Sequence, residues 1–159
     1  MRRKDIVIGF IVLLVLALVF SFLRRPEELT ITDLERLQEK ETQIEDRFKI
    51  DIPDDLEKAT LEDVSGGISE GIATREYENG KFIHTVLAAL PDLGVGEFYQ
   101  SWLIKDDQYI STGKMKMAKG GYILGFESSI DYSAYNKVLI TQEKTFDSTP
   151  EITVLEGAF

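Results

Sequence analysis

The chain has 159 residues, four prolines, one histidine, no cysteine and a formal charge of −10, enough for one domain of ordinary size with an appendage. The absence of cysteine excludes disulfides, thiolate metal sites and a cysteine nucleophile, and a single histidine excludes a histidine-rich metal centre. The acidic balance argues against a nucleic-acid partner, because phosphate binding requires a basic face.

The first predicted element is an uncharged run of 18 residues that begins at Ile6 and ends at Leu23. As a helix it would span about 27 Å, close to the ~30 Å hydrocarbon core of a bilayer. Basic residues flank it on both sides, and the sequence after it lacks the small-residue cleavage pattern of a signal peptide. We therefore expect an uncleaved transmembrane helix in contact with the lipid bilayer, with membrane-spanning positions at Ile6, Phe10, Leu14, Leu18 and Phe22.

The charge distribution predicts the orientation of this helix. Three basic residues precede it and two follow it, a mild bias toward a cytoplasmic N-terminus. The chain after Pro26 carries 13 basic and 27 acidic residues, a formal charge of −14, which repels anionic headgroups. We expect residues 1–5 in the cytoplasm, residues 6–23 as a single pass through the cell membrane, and the rest outside the cytoplasm.

Residues 26–58 are predicted to form a juxtamembrane helix and a linker. A capping box begins at Thr32 and an acidic run around Pro53 ends the helix. Two interpretations are open: a coiled-coil stalk that pairs with another chain, or a helix that packs on its own domain. We favour the second, because only two heptads are present and Glu41 interrupts the stripe. The apolar positions of that stripe are Leu34, Leu37, Ile44 and Phe48.

From residue 60 onward the apolar pattern alternates, which is typical of strands. The clearest signal is Asn79-Gly80 between two strand-like runs, the preferred type I′ hairpin turn. This turn predicts the register of the hairpin. The predicted cross-strand pairs are Glu78 with Lys81, Tyr77 with Phe82, and Arg75 with His84.

About eight short strands without an intervening helix predict an all-β fold for residues 60–159, an antiparallel β-sandwich. Besides the hairpin, the predicted strands are residues 60–64, 98–104, 113–118, 122–128, 137–145 and 151–156. Alternation assigns the core, with Trp102 between the two sheets and Leu124, Phe126 and Ile140 around it. The predicted core residues are Phe82, Trp102, Leu124, Phe126 and Ile140.

The search for catalytic chemistry finds one candidate, His84, in the middle of a predicted strand. A catalytic triad requires a serine on a strained turn and a carboxylate that orients the imidazole, and no Gly-x-Ser-x-Gly motif is present. We interpret His84 as a partly buried strand residue. Acidic pairs such as Glu62-Asp63 and Asp106-Asp107 lack the frame of a calcium loop, and we expect solvated turns there. The sequence thus predicts no catalytic residue, no cofactor and no metal site.

Four tyrosines are candidates for a shallow binding surface, although tyrosines at strand ends are also common in sandwiches. They are Tyr99, Tyr109, Tyr132 and Tyr135.

The second half of the chain carries short motifs in a recognisable order: FYQSWLI at 98–104, TGK at 112–114, VLITQE at 138–143, Pro150, and VLEG at 154–157. In these motifs the chain, from about residue 63 to 159, resembles the extracytoplasmic C-terminal domain of anti-sigma-K factors. The resemblance implies a sensory or regulatory domain beyond a single membrane helix, rather than an enzyme. Five residues before the apolar run are too few for the cytoplasmic sigma-binding region of that family.

Our leading hypothesis is a non-enzymatic, membrane-anchored, extracytoplasmic β-sandwich that binds a protein or a ligand at the cell surface, with an envelope protein as the possible partner. One alternative is a small surface hydrolase that uses His84. The other is a structural spacer next to the membrane.

Overall fold

A computed structural model describes residues 31–159 of the chain. Residues 35–159 belong to one unit, and the described residues before them to another. No helix within residues 31–159 combines the length and the apolar character that crossing a membrane requires. The predicted cytoplasmic tail and the predicted membrane segment lie outside the described residues. That segment contains Ile6, Phe10, Leu14, Leu18 and Phe22.

Helix α1 covers Ile31–Phe48. Thr32 lies inside this helix and not at its N-cap, so the predicted start is wrong. The helix ends where Lys49 adopts a left-handed φ of 59°, and the amide of Ile50 donates to the carbonyl oxygen of Glu45 at 3.2 Å. This six-to-one bond satisfies a carbonyl that would otherwise lack a donor at the helix end. The helix therefore stops before the acidic run that was expected to end it.

Nine antiparallel strands follow the helix and form one continuous sheet. Their order across the sheet is β5-β4-β8-β9-β1-β2-β3-β7-β6. Their bounds are Glu57–Asp63 (β1), Glu70–Glu78 (β2), Lys81–Ala89 (β3), Phe98–Lys105 (β4), Gln108–Lys114 (β5), Lys116–Ala118 (β6), Gly121–Ser128 (β7), Lys137–Glu143 (β8) and Ile152–Ala158 (β9).

The sheet curls until its two edges approach each other, which gives a nearly closed, barrel-like form. The rings of Tyr99 on β4 and Tyr122 on β7 meet at 4.8 Å between centroids, although these strands lie near opposite edges. The all-β, antiparallel prediction is confirmed, but the two-sheet sandwich is wrong. Alternation shows which side of a strand is buried, and it does so equally when one sheet closes on itself.

The hairpin between β2 and β3 has the predicted turn and register. Asn79 and Gly80 both have positive φ, 52° and 76°, as a type I′ turn requires. The three predicted cross-strand pairs are all present, including Arg75 opposite His84. Local turn chemistry was therefore sufficient to define this element.

The predicted strand at residues 113–118 is wrong, because the structure divides it into the end of β5 and the short strand β6. β5 pairs with β4, whereas β6 pairs with β7. Between them, the amide of Met115 donates to the carbonyl oxygen of Tyr99 at 2.8 Å. The alternating pattern continues through this switch of partner, so the pattern alone does not reveal it.

The main core lies inside the curled sheet. Phe82, Leu124 and Ile140 are buried in it, and the partly buried Phe126 packs against it. Trp102 is also buried, but on the opposite face of β4, in a separate cluster with Ile104 and Leu139. The predicted placement of Trp102 among Leu124, Phe126 and Ile140 is therefore wrong. Both faces of β4 are buried, and alternation does not distinguish them.

A third cluster joins helix α1 to the sheet. Ile44 and Phe48 are buried against Ile72 and Leu87 on the outer side of β2 and β3, and against Ile52 in the segment after the helix. The last turns of the helix therefore pack on their own domain, as the favoured interpretation predicted. Another stripe residue, Leu34, keeps 48% of its surface exposed.

Candidate functional site

Two ends of the curled sheet are distinguished by the loops that close them. The Asp63 end carries the loops at residues 64–69, 90–97 and 144–151, and the Asn79 end carries the turns at 79–80 and 106–107 and the loop at 129–136. A cleft of about 480 Å³ opens at the Asp63 end and is the candidate functional site. It is named the Asp63 cleft below. Its main lining residues are Arg47, Asp63, Ile68, Leu90, Tyr99 and Ile152.

One wall of the Asp63 cleft is the loop after β1, held in shape by the carboxylate of Asp63. That carboxylate accepts hydrogen bonds from the backbone amides of Ser65, Gly67 and Ser69 at 2.8–2.9 Å, and from the Ser65 hydroxyl at 2.8 Å. Desolvation alone would raise the pKa of Asp63, but these donors outweigh it and hold the pKa well below its usual range. Asp63, half-buried at the end of β1, is therefore more than the solvated turn position that was predicted, because it shapes the loop.

The floor of the cleft is apolar and buried. Leu90 and Val154 form much of it, together with Tyr99, which is 1% exposed. The Tyr99 hydroxyl donates to the carbonyl oxygen of Pro91 at 3.1 Å. Burial, followed by the nearby Tyr122 and acidic groups, raises the pKa of Tyr99 to about 12. Tyr99 is therefore a neutral phenol at neutral pH, and its buried ring adds apolar surface to the floor.

Two polar side chains that line the cleft are hydrogen-bonded within the domain. The Nε atom of Arg47 donates to the carbonyl oxygen of Gly120 at 2.5 Å, and the side-chain amide of Gln142 donates to Glu97 at 2.9 Å. Ile68 and Ile152 stand exposed at the mouth. A buried apolar floor with exposed aliphatic side chains above it suits contact with another molecule more than it suits bond chemistry.

His84 lies away from this cleft, inside the sheet toward the Asn79 end. Its ring is fully buried, and its Nδ1 atom lies 2.9 Å from the carbonyl oxygen of Thr74. Within the described part of the chain, the Nε2 atom has no hydrogen-bond partner. Burial is the main cause that lowers the pKa of His84 to about 4, with Arg75 adding to the effect. No serine or carboxylate among residues 31–159 forms a hydrogen bond with this ring.

A buried arginine lies beside His84, and each of its three guanidinium nitrogens donates a hydrogen bond. Arg75 forms two hydrogen bonds with the carboxylate of Glu57, at 2.7 and 2.9 Å, and one with the carbonyl oxygen of Tyr135 at 2.6 Å. Its guanidinium lies 4.0 Å from the centre of the Phe159 ring. The Arg75 hydrogen bond is the main cause that lowers the pKa of Glu57. These contacts connect β1, β2 and the C-terminal residues, which indicates a structural role.

The other sequence candidates are dispersed. Tyr99 lines the cleft, whereas the half-exposed Tyr109 and the contacting rings of Tyr132 and Tyr135 lie at the Asn79 end, so the four tyrosines form no single surface. Among residues 31–159, no group of three or more acidic or histidine side chains is placed to hold a metal ion.

Sequence reasoning missed the Asp63 cleft, although a local signal existed. Asp63 is followed at every second position by Ser65, Gly67 and Ser69, whose amides are the donors. Small residues after an aspartate favour such side-chain-to-backbone turns. The rest of the cleft comes from α1, from the loop after β3 and from strands β2, β3, β4, β8 and β9, and their meeting depends on long-range contacts.

No protein-family model, curated protein or solved structure matches this chain. The resemblance to the anti-sigma-K domain therefore stays a prediction.

Proposed function

We propose that this chain is a non-enzymatic, membrane-anchored module that stands outside the cytoplasm and binds an envelope protein through the Asp63 cleft. The cleft is the observation that carries the proposal. It combines a buried apolar floor, around Leu90 and Tyr99, with exposed aliphatic side chains at its mouth. The free energy falls when a partner covers such a surface and removes it from water.

The anchor and the location come from the sequence. The uncharged run at residues 6–23 is long enough to span a bilayer, and its basic flanks favour a cytoplasmic N-terminus. The resemblance to the anti-sigma-K C-terminal domain supports the same topology and a regulatory role. Under this proposal, binding at the cleft would report on the state of the envelope.

The enclosure of His84 weighs against the hydrolase alternative. A general base must come within hydrogen-bond reach of the proton that it removes, directly or through one water. The ring of His84 is 0% exposed and its neighbours include the rings of Phe82 and Phe159. A substrate would have to displace this aromatic packing to reach it.

Site-specific photo-cross-linking in intact cells tests the proposal. A photoreactive residue at Ile152, on the mouth of the cleft, should capture one envelope protein, and the same residue at Ile130 should not. These positions are matched in exposure, since their side chains are 54% and 59% exposed, and they differ in location because they lie at opposite ends of the sheet. Adding Ile68→Glu should abolish the capture.

Two results would reject partner binding at the cleft. One is capture of the same proteins from both positions. The other is recovery of the chain alone from both, which would favour the spacer alternative.

A further inference from the structure

We propose that a monovalent metal cation, sodium or potassium, binds beneath the loop at residues 144–151, between the side chains of Gln100 on β4 and Glu143 on β8. Both residues are 0% exposed, and each has a side-chain oxygen to which no group of the described chain donates a hydrogen bond. The place is named the Glu143 site below. The proposal does not depend on the proposed function, because it concerns a second site on the outer face of the sheet.

The two side chains lie on the same face of neighbouring strands. Gln100 is opposite Thr141, and Glu143 is two residues farther along β8 on the same face. Such diagonal neighbours are about 7–8 Å apart, a separation that long side chains can bridge. The face is the outer one, because Trp102, in the cluster outside the main core, donates from its indole to the Thr141 hydroxyl at 2.7 Å. The oxygens of Gln100 and Glu143 can therefore reach one common ion.

The loop at residues 144–151 closes over this region. The side-chain amide of Gln100 donates to the carbonyl oxygen of Asp147 at 3.4 Å. The backbone amide of Glu151 donates to the Oε1 atom of Glu143 at 3.0 Å. Loop and sheet thus enclose the two remaining acceptors, Oε1 of Gln100 and Oε2 of Glu143.

The charge of the Glu143 carboxylate is not balanced by a neighbouring side chain. Among residues 31–159, no lysine, arginine or histidine forms an ion pair with it. The ammonium of Lys114 on β5 lies 3.5 Å from the centre of the Phe98 ring. The ammonium of Lys144 lies 3.7 Å from the carboxylate of Glu97. Because a buried charge without a counter-charge is strongly unfavourable, the carboxylate requires a positive ion from outside the chain.

The chemistry of the oxygens favours a monovalent metal cation. Carboxylate and amide oxygens are ligands of hard cations, and the carbonyl oxygen of Asp147 is a third oxygen beside Gln100. A single positive charge neutralises one carboxylate, whereas a divalent ion would leave an excess charge buried. The site thus differs from a centre of three or more acidic or histidine side chains, which residues 31–159 do not contain.

A cation at the Glu143 site would fasten the loop that borders the Asp63 cleft. Glu151, whose amide is bonded to Glu143, directly precedes Ile152 at the mouth of that cleft. A bound ion would hold the loop on the sheet and would fix the position of Ile152.

Thermal unfolding of the full chain in a non-ionic detergent, compared among chloride salts at equal ionic strength, tests the proposal. The chain has a formal charge of −10, so screening by any salt raises its stability. Choline chloride supplies this screening with a cation too large for a buried site. We expect the Tm to be several degrees higher in sodium or potassium chloride than in choline chloride, with a saturable dependence on concentration.

The fluorescence of Trp102 measures binding without unfolding. Trp102 is the single tryptophan of the chain and lies two residues from Gln100 on the same strand face. Titration with the salt that raises the Tm should change its emission along a saturation curve. Titration with choline chloride should leave the emission unchanged.

The variant Glu143→Gln separates the cation from other causes of salt dependence. It removes the charge and introduces an amide that can donate to the free oxygen of Gln100. We expect it to have the same Tm in all three salts, and a Tm in choline chloride at least as high as that of the wild type. Glu78→Gln is the matched control, because it makes the same substitution at an exposed position at the Asn79 end, and it should respond as the wild type does.

Three results would overturn the proposal. Equal Tm values of the wild type in all salts, or an emission of Trp102 that does not respond to the alkali salts, would favour a buried water as the donor to both oxygens. A full alkali response in Glu143→Gln would place the ion elsewhere. If Glu143→Gln does not fold, the two comparisons on the wild type decide alone.

Discussion

Trp102 shows how a single residue can be buried as expected and still lie in an unexpected place. Its indole N–H donates to the hydroxyl of Thr141 at 2.7 Å, and the side chain packs with Ile104 and Leu139. Its strand neighbour Leu103 faces the main core instead. Alternation predicted burial for Trp102, but a strand that is buried on both faces gives no signal of which face is which.

Replacing Trp102 should strongly destabilise the domain. Trp102→Ala removes a large buried side chain and leaves the Thr141 hydroxyl without its donor, so we expect a loss of about 3–5 kcal/mol in the free energy of unfolding. Denaturant titration followed by far-ultraviolet circular dichroism measures it. Tyr109→Ala, at a half-exposed aromatic, is the control and should cost far less. Equal losses in the two variants would contradict the buried position of Trp102.

His84 should make stability depend on pH in a defined range. Its pKa is about 4 in the folded domain and 6.5 ordinarily, so below pH 6.5 the unfolded chain binds a proton that the folded chain does not. Stability should therefore fall by about 2 kcal/mol between pH 7 and pH 5. The carboxyl of Glu57, whose pKa is lowered, adds its own loss only at lower pH.

The measurement is the free energy of unfolding of the wild type and of His84→Gln across that range. The variant has no imidazole to protonate, so its stability should change much less between the two pH values. An equal slope in both proteins would show that His84 does not cause the pH dependence.

At the scale of elements, local sequence determined some features and not others. The β2–β3 hairpin could be predicted in type and register because Asn79-Gly80 specifies both within four residues. The switch of partner at Met115 could not be predicted, because it depends on where β4 and β7 lie in the folded sheet. The same limit applied to the Asp63 cleft. Its loop could be predicted from neighbouring residues in the sequence, but its floor depends on contacts between distant strands.

The helix offers a test of how its apolar stripe is used. Ile44→Ala should lower the free energy of unfolding by about 2–5 kcal/mol, because the side chain is 1% exposed against the outer side of β2 and β3. Leu34→Ala, on the same stripe but half-exposed, should cost much less. Denaturant titration of both variants checks the difference. Comparable losses that vary with protein concentration would indicate a paired coiled coil.

At the scale of the whole molecule, the position of β9 makes the folding of the sheet cooperative. This strand lies between β8 and β1, near the middle of the sheet, although it is last in the chain. In its antiparallel pairing with β1, Glu156 lies opposite Glu62 and Leu155 lies opposite Asp63. Short-range patterns identified most of the strands, although not β5 and β6, and nothing local indicated that the first and last strands are neighbours.

Removal of β9 should therefore unfold the whole domain and not merely remove one strand from it. A chain that ends at Glu151 leaves β1 and β8 without their shared partner and opens the main core at Val154 and Leu155. We expect loss of the near-ultraviolet circular dichroism signal. A chain that lacks only Ala158 and Phe159 keeps most of the β9 pairing and should retain the signal. A folded Glu151 truncation would show that the sheet closes without β9.

The same arrangement constrains how the protein is made. The ribosome completes eight strands before it supplies the one that joins the two parts of the sheet, so the nascent chain has no route to its final fold until synthesis of the domain ends. Until then the edges of β1 and β8 remain open to incorrect pairing. If the domain is exported as proposed above, this delay keeps the chain unfolded, and so able to cross the membrane, until β9 emerges.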